Sequence, residues 1–327
     1  TAYFIQLSFP IPTGGLATVS SGVYFKGPPV NKQPIVTTTP DTVVTEGSFA
    51  VPVVATDPDT NQTLTYSLDP GGPAGVSINP VTGIVSGFAI DQLGLLAPIT
   101  VVVSDNGTPV ISYRDTFRIT VVNAAPTAGI IAQTAAVRGE PIPFTFSATD
   151  PSPADQAAGF TYEIDWDNDN IIDVTQAGGS SINLSRIFST SGTYAVRARV
   201  TDKDAGVSPW SELTVAVTEN RRAPNPNNPS LVDLYIGGTD GTDVFAIGGG
   251  RFLNPGASAS SLFYYNTASP SPTLYNFPEV TGRVIVYLRG GDDAVVDLSD
   301  GGIGQLALSR WIAYGGEGDD YFVFNAF

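Results

Sequence analysis

The sequence of 327 residues contains no cysteine, no histidine and no methionine. Without cysteine the chain can form no disulfides and no thiolate metal sites, and it has no thiol nucleophile. Without histidine it cannot build a His-dependent zinc site or a Ser-His-Asp triad. These absences remove most of the side chains that enzymes use for acid–base and nucleophilic chemistry, and we therefore expect no catalytic activity.

Basic residues are also scarce, with 15 Lys and Arg against 31 Asp and Glu and a net charge of −16. Nucleic-acid binding requires Lys and Arg to neutralise phosphates, so we expect no nucleic-acid partner. The chain has no apolar run of about 20 residues, so we expect no membrane insertion. Excess carboxylates suit Ca²⁺, which takes oxygen ligands, although an acidic surface that only maintains solubility has the same composition.

Long helical patterns are missing as well, since no segment beyond about ten residues keeps apolar positions at helical spacing. Short stretches with period-two alternation recur instead, separated by the frequent glycines (35) and prolines (26). This rhythm is typical of β-sandwiches and barrels, and it predicts an all-β fold. The chain opens at Thr1 without Met, and we expect a mature form whose leader has been removed.

Five segments follow from the pattern. Residues 1–30 carry a strand that is apolar on one face and has no obvious hairpin partner, so we predict that it pairs with a later domain or another molecule. Segments 31–123 and 124–219 each have the size and rhythm of an immunoglobulin-like β-sandwich. Residues 220–230, rich in Pro and Asn, predict an extended, unpaired linker, and 231–327 form a Gly/Asp-rich β domain. The residues of the predicted assembly strand are Tyr3, Ile5, Leu7 and Phe9.

The second segment contains two acidic turns, Ala55-Thr-Asp-Pro-Asp-Thr60 and Val103-Ser-Asp-Asn-Gly107, and the hairpin Val76-Ser-Ile-Asn-Pro-Val-Thr-Gly-Ile-Val85. Over about 90 residues it resembles the cadherin-like and immunoglobulin-like repeats of large bacterial surface proteins. The resemblance implies a Ca²⁺ site, because carboxylates at i and i+2 in a turn can converge on one ion. The alternative is that the turn aspartates only form Asx-turns. The implied ligands are Asp57, Asp59 and Asp105, with Glu46 as a further candidate. A strand is predicted over Asp115–Val122.

The third segment resembles the PKD domain of bacterial secreted proteins over about 95 residues. The motifs that carry the resemblance are a Trp-Asp strand end at Trp166, Ser191-Gly-Thr-Tyr-Ala-Val196 and Val200-Thr-Asp202. The resemblance implies an immunoglobulin-like sandwich. One departure is that the usual W-D-F-G-D-G turn is replaced by Trp166-Asp-Asn-Asp-Asn-Ile-Ile-Asp173.

That replacement makes the densest acidic cluster of the chain, with aspartates in a D-x-D-x-D-x-x-x-D pattern similar to an EF-hand loop. Alternate side chains of an extended loop lie on one side, where four like charges repel each other without a counter-ion. The pattern predicts Ca²⁺ binding, and the alternative is an exposed acidic hairpin tip. The predicted ligands are Asp165, Asp167, Asp169 and Asp173.

The last segment repeats a glycine–aspartate turn. Residues 287–296 align with residues 314–323, 27 positions later, and a looser copy begins at Tyr235, with its Asp243 lying 50 positions before Asp293. Such spacing indicates either successive coils of a parallel β-solenoid or unrelated hairpin turns in a sandwich. Residues 315–323 fit G-G-x-G-x-D-x-U-x and resemble the RTX repeat, in one full copy only. The resemblance implies Ca²⁺ at Asp292, Asp293, Asp319 and Asp320, whereas tight turns alone also explain the glycines.

Together these features predict an extracellular, Ca²⁺-stabilised structural protein that self-associates into a surface filament or matrix by β-strand pairing. The apolar segment Tyr321–Phe327 provides a second strand-like end for such pairing. The alternatives are an adhesin segment that binds a cell-surface protein or glycan, and a carbohydrate-binding accessory region of a secreted hydrolase. The three tryptophans, Trp166, Trp210 and Trp311, are predicted to be core or near-core residues rather than a sugar platform.

Overall fold

A computed structural model of the chain describes residues 7–10, 16–19, 30–89, 93–248, 261–266, 273–276, 280, 282–297 and 311–324. These residues contain 30 strands and one six-residue helix, α1 (Pro153–Ala158), which confirms the predicted all-β class. Within this part of the chain no helix has the length and apolar character that a bilayer crossing requires. The chain divides into two compact units, and the predicted domain boundaries themselves stay predictions. The units are Thr1–Ala124 with Pro151–Ala154, and Ala125–Asp150 with Asp155–Phe327.

The N-terminal segment forms a local hairpin. Strand β1 (Leu7–Pro10) pairs antiparallel with β2 (Leu16–Val19), so that Leu7 lies opposite Val19. The prediction that this strand lacks a local partner is therefore wrong for Leu7 and Phe9, whereas Tyr3 and Ile5 lie outside the described residues. The two strands are five residues apart, and that connection contains two glycines, which is the length and composition of a hairpin loop.

The rest of the first unit consists of four small sheets. Their strand orders are β10-β13-β4, β12-β11-β7, β5-β9-β8 and β3-β6. Alternate side chains point into a common core, as in β11, where Ile99, Val101 and Val103 are buried. The strands are β3 (Ile35–Val36), β4 (Thr42–Thr45), β5 (Gly47–Pro52), β6 (Ala55–Thr56), β7 (Thr65–Leu68), β8 (Ser77–Ile78), β9 (Ile84–Ala89), β10 (Gly94–Leu95), β11 (Ile99–Ser104), β12 (Ser112–Phe117) and β13 (Ile119–Val122).

The predicted single strand Asp115–Val122 is divided between two sheets. β12 pairs antiparallel with β11, whereas β13 pairs parallel with β4. The break falls at Arg118, whose backbone N–H donates to the Asp41 carboxylate at 2.7 Å. Periodicity cannot reveal this break, because the buried positions Phe117 and Ile119 keep the alternation across it.

The second unit begins with a two-sheet sandwich. Its sheets have the orders β14-β16-β19 and β15-β21-β20-β17-β18. The core is aromatic: Trp166 is buried, and its ring makes edge contacts with Phe144 and Phe146 at 5.0 and 5.7 Å. The predicted core position of Trp166 is therefore confirmed. The strands are β14 (Thr127–Ile131), β15 (Ala135–Val137), β16 (Pro141–Thr149), β17 (Phe160–Asp165), β18 (Val174–Gly178), β19 (Ser181–Ile187), β20 (Gly192–Thr201) and β21 (Ser211–Thr218).

The C-terminal part of this unit is a parallel β-solenoid with side strands. Its sheets have the orders β22-β23-β27-β29 and β26-β25-β24-β28-β30. Within the first sheet Leu234 pairs with Val284 and Val284 with Trp311, at spacings of 50 and 27 residues. The solenoid interpretation of the repeated turns is thereby confirmed. The strands are β22 (Asn220–Asn225), β23 (Asn228–Gly237), β24 (Asp243–Gly248), β25 (Ser261–Asn266), β26 (Thr273–Asn276), β27 (Val284–Tyr287), β28 (Ala294–Asp297), β29 (Trp311–Tyr314) and β30 (Tyr321–Phe324).

The predicted linker 220–230 is a hairpin and not an unpaired chain. β22 pairs antiparallel with β23, and the Asn225 side chain closes the turn by accepting the N–H groups of Asn227 and Asn228. Pro224 is tolerated because β22 is an edge strand, where a missing donor does not break the ladder. Composition overestimated disorder here, since asparagine favours tight turns as well as open chain.

The solenoid turns are packed too closely for side chains at their glycines. A Cβ at Gly316 would lie 1.6 Å from the carbonyl oxygen of Arg289 in the preceding coil. Gly318 adopts a φ of 126°, a conformation that favours glycine. The glycine pattern therefore reflects backbone-to-backbone stacking of successive turns.

A buried polar network joins the sandwich to the first coil within the second unit. Glu140 accepts hydrogen bonds from Arg221, whose guanidinium also lies 3.9 Å from the centre of the Tyr235 ring. Arg138 donates to the carbonyl oxygen of Gly237 at 3.0 Å. These contacts explain why the sandwich and the solenoid form one compact unit.

The buried Asp233–Arg283 pair links two coils of the solenoid and provides a test of its stability. Burial opposes ionisation of Asp233, but hydrogen bonds from Arg283 and Asn225 outweigh it and lower the pKa of this carboxyl. Removing the partner leaves a fully buried charge unpaired. We expect Arg283→Met to lower the free energy of unfolding by about 3–5 kcal/mol, measured by calorimetry.

The matched control is Arg114→Met, which breaks an exposed pair with Asp69. That change is expected to cost much less stability than Arg283→Met, because the Arg114–Asp69 pair is exposed to solvent. Equal losses for the two variants would contradict a dominant role of the buried pair.

Candidate metal-binding loops

The acidic loop after β17 is organised around Asp165, which is fully buried. Its carboxylate accepts the backbone N–H groups of Asn168 at 2.8 Å and Asn170 at 3.1 Å. Both asparagines have positive φ, at 62° and 72°, which is the left-handed conformation that asparagine tolerates better than most residues. The loop therefore wraps its backbone donors around one carboxylate.

Arg197 supplies a positive charge to the same carboxylate. Its Nε and Nη2 atoms donate to Asp165 Oδ2 at 3.0 and 2.7 Å. Burial of Asp165 opposes its ionisation, but Arg197 and the loop N–H groups outweigh burial and lower the pKa of this carboxyl. Arg197 on the neighbouring strand β20 thus provides part of the positive charge that the acidic pattern was expected to obtain from Ca²⁺.

The structure brings together three of the four predicted ligands of this loop. Carboxylate oxygens of Asp165, Asp167 and Asp173 lie within 4.8 Å of one another. Asp169 is not in this group, and its carboxylate accepts the N–H of Ile171 at 2.7 Å. The loop retains more negative charge than Arg197 balances, and the excess lies at the exposed Asp167 and Asp173.

The predicted ligands of the first unit form a hydrogen-bonded network instead of a three-carboxylate group. Asp57 accepts the N–H of Asp59, which is an Asx-turn, and Asp105 accepts the N–H groups of Gly107 and Ile111. The amide of Asn31 donates to Asp105 at 2.9 Å. Among the described residues, no group of three metal-ligating side chains within 4.8 Å contains Asp57, Asp59 or Asp105. Glu46, the further candidate, is buried.

The solenoid turns stack three aspartates, Asp243, Asp293 and Asp320, which we call the aspartate ladder. The N–H of Asp243 donates to Asp293 Oδ1 at 2.7 Å, and the N–H of Asp293 donates to Asp320 Oδ1 at 3.3 Å. The exposed pair beside it repeats the arrangement, since the N–H of Asp319 donates to Asp292 at 3.0 Å. The carboxylates of Asp293 and Asp320 therefore each cap the strand start of the preceding coil, whereas the Asp243 carboxylate accepts the N–H of Thr239 in its own turn. Among the described residues, no three-carboxylate group includes any of the predicted ligands of this segment. These ligands are Asp292, Asp293, Asp319 and Asp320.

Asp293, the middle residue of the aspartate ladder, lies in a site that disfavours its ionised form. Asp293 is fully buried, and its Oδ2 atom has no hydrogen-bond partner among the described residues. Burial, reinforced by the carboxylates of Asp243 and Asp320, raises the pKa of Asp293 to about 6 despite the N–H donated by Asp243. This carboxyl therefore holds a proton more tightly in the folded protein than in the unfolded chain.

A further acidic group was missed by sequence reasoning. Carboxylate oxygens of Asp150, Asp155 and Asp202 lie within 4.8 Å of one another, and the Nζ atom of Lys203 is 3.2 Å from Asp155. Asp150 follows β16, Asp155 lies on α1 and Asp202 follows β20. Asp155 and Asp202 are buried.

An internal repeat provides the signal that could have found two of these residues. Ala148-Thr-Asp-Pro151 repeats Ala55-Thr-Asp-Pro58, and Val200-Thr-Asp202 parallels Val103-Ser-Asp105. Asp150 and Asp202 are thus the counterparts of Asp57 and Asp105. The helix residue Asp155 has no such counterpart and is brought in by the fold alone.

Comparison with known proteins supports the immunoglobulin-like assignment of one segment. A family model described as "Putative Ig domain" matches residues 33–122, which confirms the predicted immunoglobulin-like character of this part of the chain. The matched family is an immunoglobulin-type module and not a catalytic one. No curated protein matches the chain significantly.

Several solved structures resemble parts of the chain. The PKD domain of an M14-like peptidase from a Thermoplasmatales archaeon is 27% identical, covering 29% of this chain and 97% of that one, with a TM-score of 0.25. Human protocadherin-24 EC1-2 is 19% identical, covering 58% and 99%, with a TM-score of 0.26. Drosophila N-cadherin EC1-3 is 18% identical, covering 57% and 68%, with a TM-score of 0.25. Likenesses this partial assign no function to the chain.

The raised pKa of Asp293 predicts a pH-dependent stability. An aspartate of the unfolded chain has a pKa near 3.8, whereas Asp293 titrates at about 6 in the folded protein. Between these values the folded state binds the proton and the unfolded chain does not, so stability falls as pH rises through this window. We expect a higher melting temperature at pH 5 than at pH 7, measured by calorimetry in the presence of a chelator.

Asp293→Asn, which carries no charge at either pH, is expected to remove most of this difference. Asp319→Asn, an exposed neighbour on the same turn, is the control and should leave it intact. If the control removed the pH dependence as strongly, the aspartate ladder would not be its source.

Proposed function

We propose that the protein is an extracellular structural component that Ca²⁺ stabilises and that assembles into a surface filament or matrix by β-strand pairing. The observation that carries the calcium part is the pair of three-carboxylate groups in the second unit. Oxygen atoms held this close repel each other when ionised, and a hard cation with oxygen ligands relieves that repulsion. The two groups are Asp150 with Asp155 and Asp202, and Asp165 with Asp167 and Asp173.

The proposed sites differ in the cations that already surround them. In the first group Lys203 is the nearby cation, and it also pairs with Asp204. In the second group Arg197 holds Asp165 through two donors, and Asp173 accepts the backbone N–H of Trp166 at 2.7 Å, so Asp167 is the ligand least engaged by the loop. We therefore expect the first group to bind Ca²⁺ more tightly. The aspartate ladder and the Asp57–Asp105 network are weaker candidates, because none of their carboxylates belongs to a three-carboxylate group among the described residues.

The role proposed for Ca²⁺ is to stiffen the sandwich loops. An ion that binds only the folded state adds about 2.7 kcal/mol at a hundredfold excess over Kd. Extracellular Ca²⁺ modules bind at about 10⁻⁴–10⁻³ M, which millimolar Ca²⁺ outside cells saturates. Stabilisation of this size is a substantial part of the stability of one domain.

Calcium removal provides the direct test. We expect millimolar Ca²⁺ to raise the melting temperature above that measured with a chelator. Asp202→Asn should remove most of this increase and Asp167→Asn a smaller part, because each deletes one ligand charge. Glu212→Gln removes an exposed charge of β21 outside both groups and should leave the increase unchanged. Coincident melting curves with and without chelator would refute the calcium proposal.

The assembly part rests on a strand edge that has no partner strand among the described residues. β30 lies at one edge of the second solenoid sheet. Tyr321, Phe322 and Val323 on β30 are 63%, 41% and 50% exposed. Such an edge offers backbone donors and acceptors together with apolar side chains, which is the template that a strand of another molecule uses.

The outer solenoid edge is expected to contribute more to assembly than the N-terminal strand, because β1 already has a local partner. Val323→Lys places a charge on that edge and should abolish filaments in electron micrographs and large species in light scattering. Leu7→Pro, which removes a backbone donor from β1, should weaken assembly only partly. Monodisperse wild-type protein at high concentration with Ca²⁺ would exclude assembly by this chain and favour a monomeric adhesive or accessory module.

A further inference from the structure

A pocket of about 480 Å³ lies within the second unit, between the end of the sandwich and the solenoid turns. Its volume falls within the usual range for small-molecule and saccharide sites. One side is formed by Pro141 and Ile187 of the sandwich, and the other by residues 287–289 and 314–316 of two successive coils. The pocket lies outside the acidic groups discussed above.

Two tyrosines form the aromatic wall of this pocket. Tyr287 and Tyr314 occupy the same position on neighbouring strands, and their rings stack at 4.9 Å with an angle of 5°. Tyr287 covers one face of the Tyr314 ring. Since β29 is the outermost strand of its sheet and Tyr314 is 50% exposed, the opposite face of this ring is open.

Glycines keep the pocket open. Gly315 and Gly316 expose backbone at its floor. A Cβ at Gly139 would lie 2.9 Å from Arg289 Cγ and 3.3 Å from Tyr287 Cβ. The wall therefore depends on the absence of side chains at these positions.

The pocket carries no net charge. The guanidinium of Arg289 pairs with Asp240 at 2.8 Å and donates to the carbonyl oxygen of Ser189. Burial raises the pKa of Tyr287 to about 12, so its hydroxyl stays protonated. We expect a ligand that fits to be uncharged, to offer an apolar face to Tyr314, and to present hydroxyl or amide groups to the tyrosine hydroxyls.

We propose that this pocket binds a neutral oligosaccharide, with one sugar ring stacked on the open face of Tyr314. A pyranose combines an apolar face of C–H groups with a rim of hydroxyls, which matches an aromatic wall edged by polar groups. A proline-rich peptide fits less well, because such peptides dock into grooves between aromatic side chains. Tyr287 and Tyr314 contact each other and leave no groove between them.

The site does not depend on Ca²⁺ or on assembly, and it is therefore separable from the proposed function. The test is isothermal titration calorimetry on the full chain with uncharged hexasaccharides of β-linked glucose, N-acetylglucosamine, xylose and mannose. Hexagalacturonate and decaproline are the charged and the peptide comparators. We expect at least one neutral hexasaccharide to bind, and neither comparator to bind.

Three single-residue variants test whether the oligosaccharide binds in this pocket. Tyr314→Ala should weaken the affinity about tenfold, since it removes one aromatic stacking partner. Tyr321→Ala is the matched control, because Tyr321 is also an exposed tyrosine of the last coil but does not line the pocket. Ile187→Trp, which adds bulk from the sandwich side and leaves the coils untouched, should also weaken binding if Tyr314→Ala impairs folding.

The proposal is overturned if none of the neutral hexasaccharides binds. It is also overturned if decaproline or hexagalacturonate binds with comparable affinity. Equal loss of binding in Tyr321→Ala, or unchanged binding in both Tyr314→Ala and Ile187→Trp, would place the binding elsewhere on the protein.

Discussion

Donation of backbone N–H groups to aspartate carboxylates is the interaction on which the loops of this protein depend. With 31 acidic and 15 basic residues, most carboxylates cannot be paired with Lys or Arg. Asp105, Asp165 and Asp202 each accept two or more backbone N–H groups from the turn that they begin. A buried carboxylate stays ionised at neutral pH when such donors outweigh the cost of its burial. The turns are thus ordered by their own acidic side chains.

The solenoid extends the same interaction from one turn to the next. Because its coils are parallel, a donor in one coil meets the equivalent carboxylate of its neighbour, as Asp243 does with Asp293. Stacking in register also brings like charges together, and the buried Asp293 is the consequence. The arrangement orders the turns and at the same time makes their stability depend on pH. Where a basic residue is available, as Arg283 is for Asp233, the pair links coils without this repulsion.

The same backbone N–H donors also limit how many carboxylate oxygen lone pairs remain for a metal ion. A carboxylate that already accepts several N–H groups has fewer lone pairs left for a cation, so Asp105, Asp165 and Asp202 can each offer an ion less than Asp167 can. A D-x-D-x-D pattern describes only where acidic residues occur along the chain. It does not show that Arg197, 32 positions after Asp165, donates hydrogen bonds to the Asp165 carboxylate. Nor does it show that Asp169 caps Ile171 instead of joining its neighbours.

Much of the architecture could be predicted from local pattern. Alternation of apolar residues places β11 and β16 with the correct faces inward, because a strand with one buried face must repeat every two residues. The spacing of 27 and 50 residues indicated the solenoid as one of two alternatives, since parallel coils align equivalent turns. Prediction from the local pattern failed where the same residue types are typical of two different structures. The Pro- and Asn-rich stretch 220–230 indicated an open linker, whereas it forms a hairpin.

The sequence by itself determined the all-β class, the strand rhythm, the repeated glycine–aspartate turns and the exclusion of His- and Cys-dependent chemistry. These properties follow from residue identity and short-range spacing. Only the tertiary structure decided which carboxylates meet, because Asp202, which follows β20, joins Asp150 and Asp155 although β20 is distant in sequence from β16 and α1. It also decided that Tyr287 and Tyr314 share one wall of a pocket whose other side belongs to the sandwich. Both juxtapositions arise from long-range packing, which no local pattern encodes.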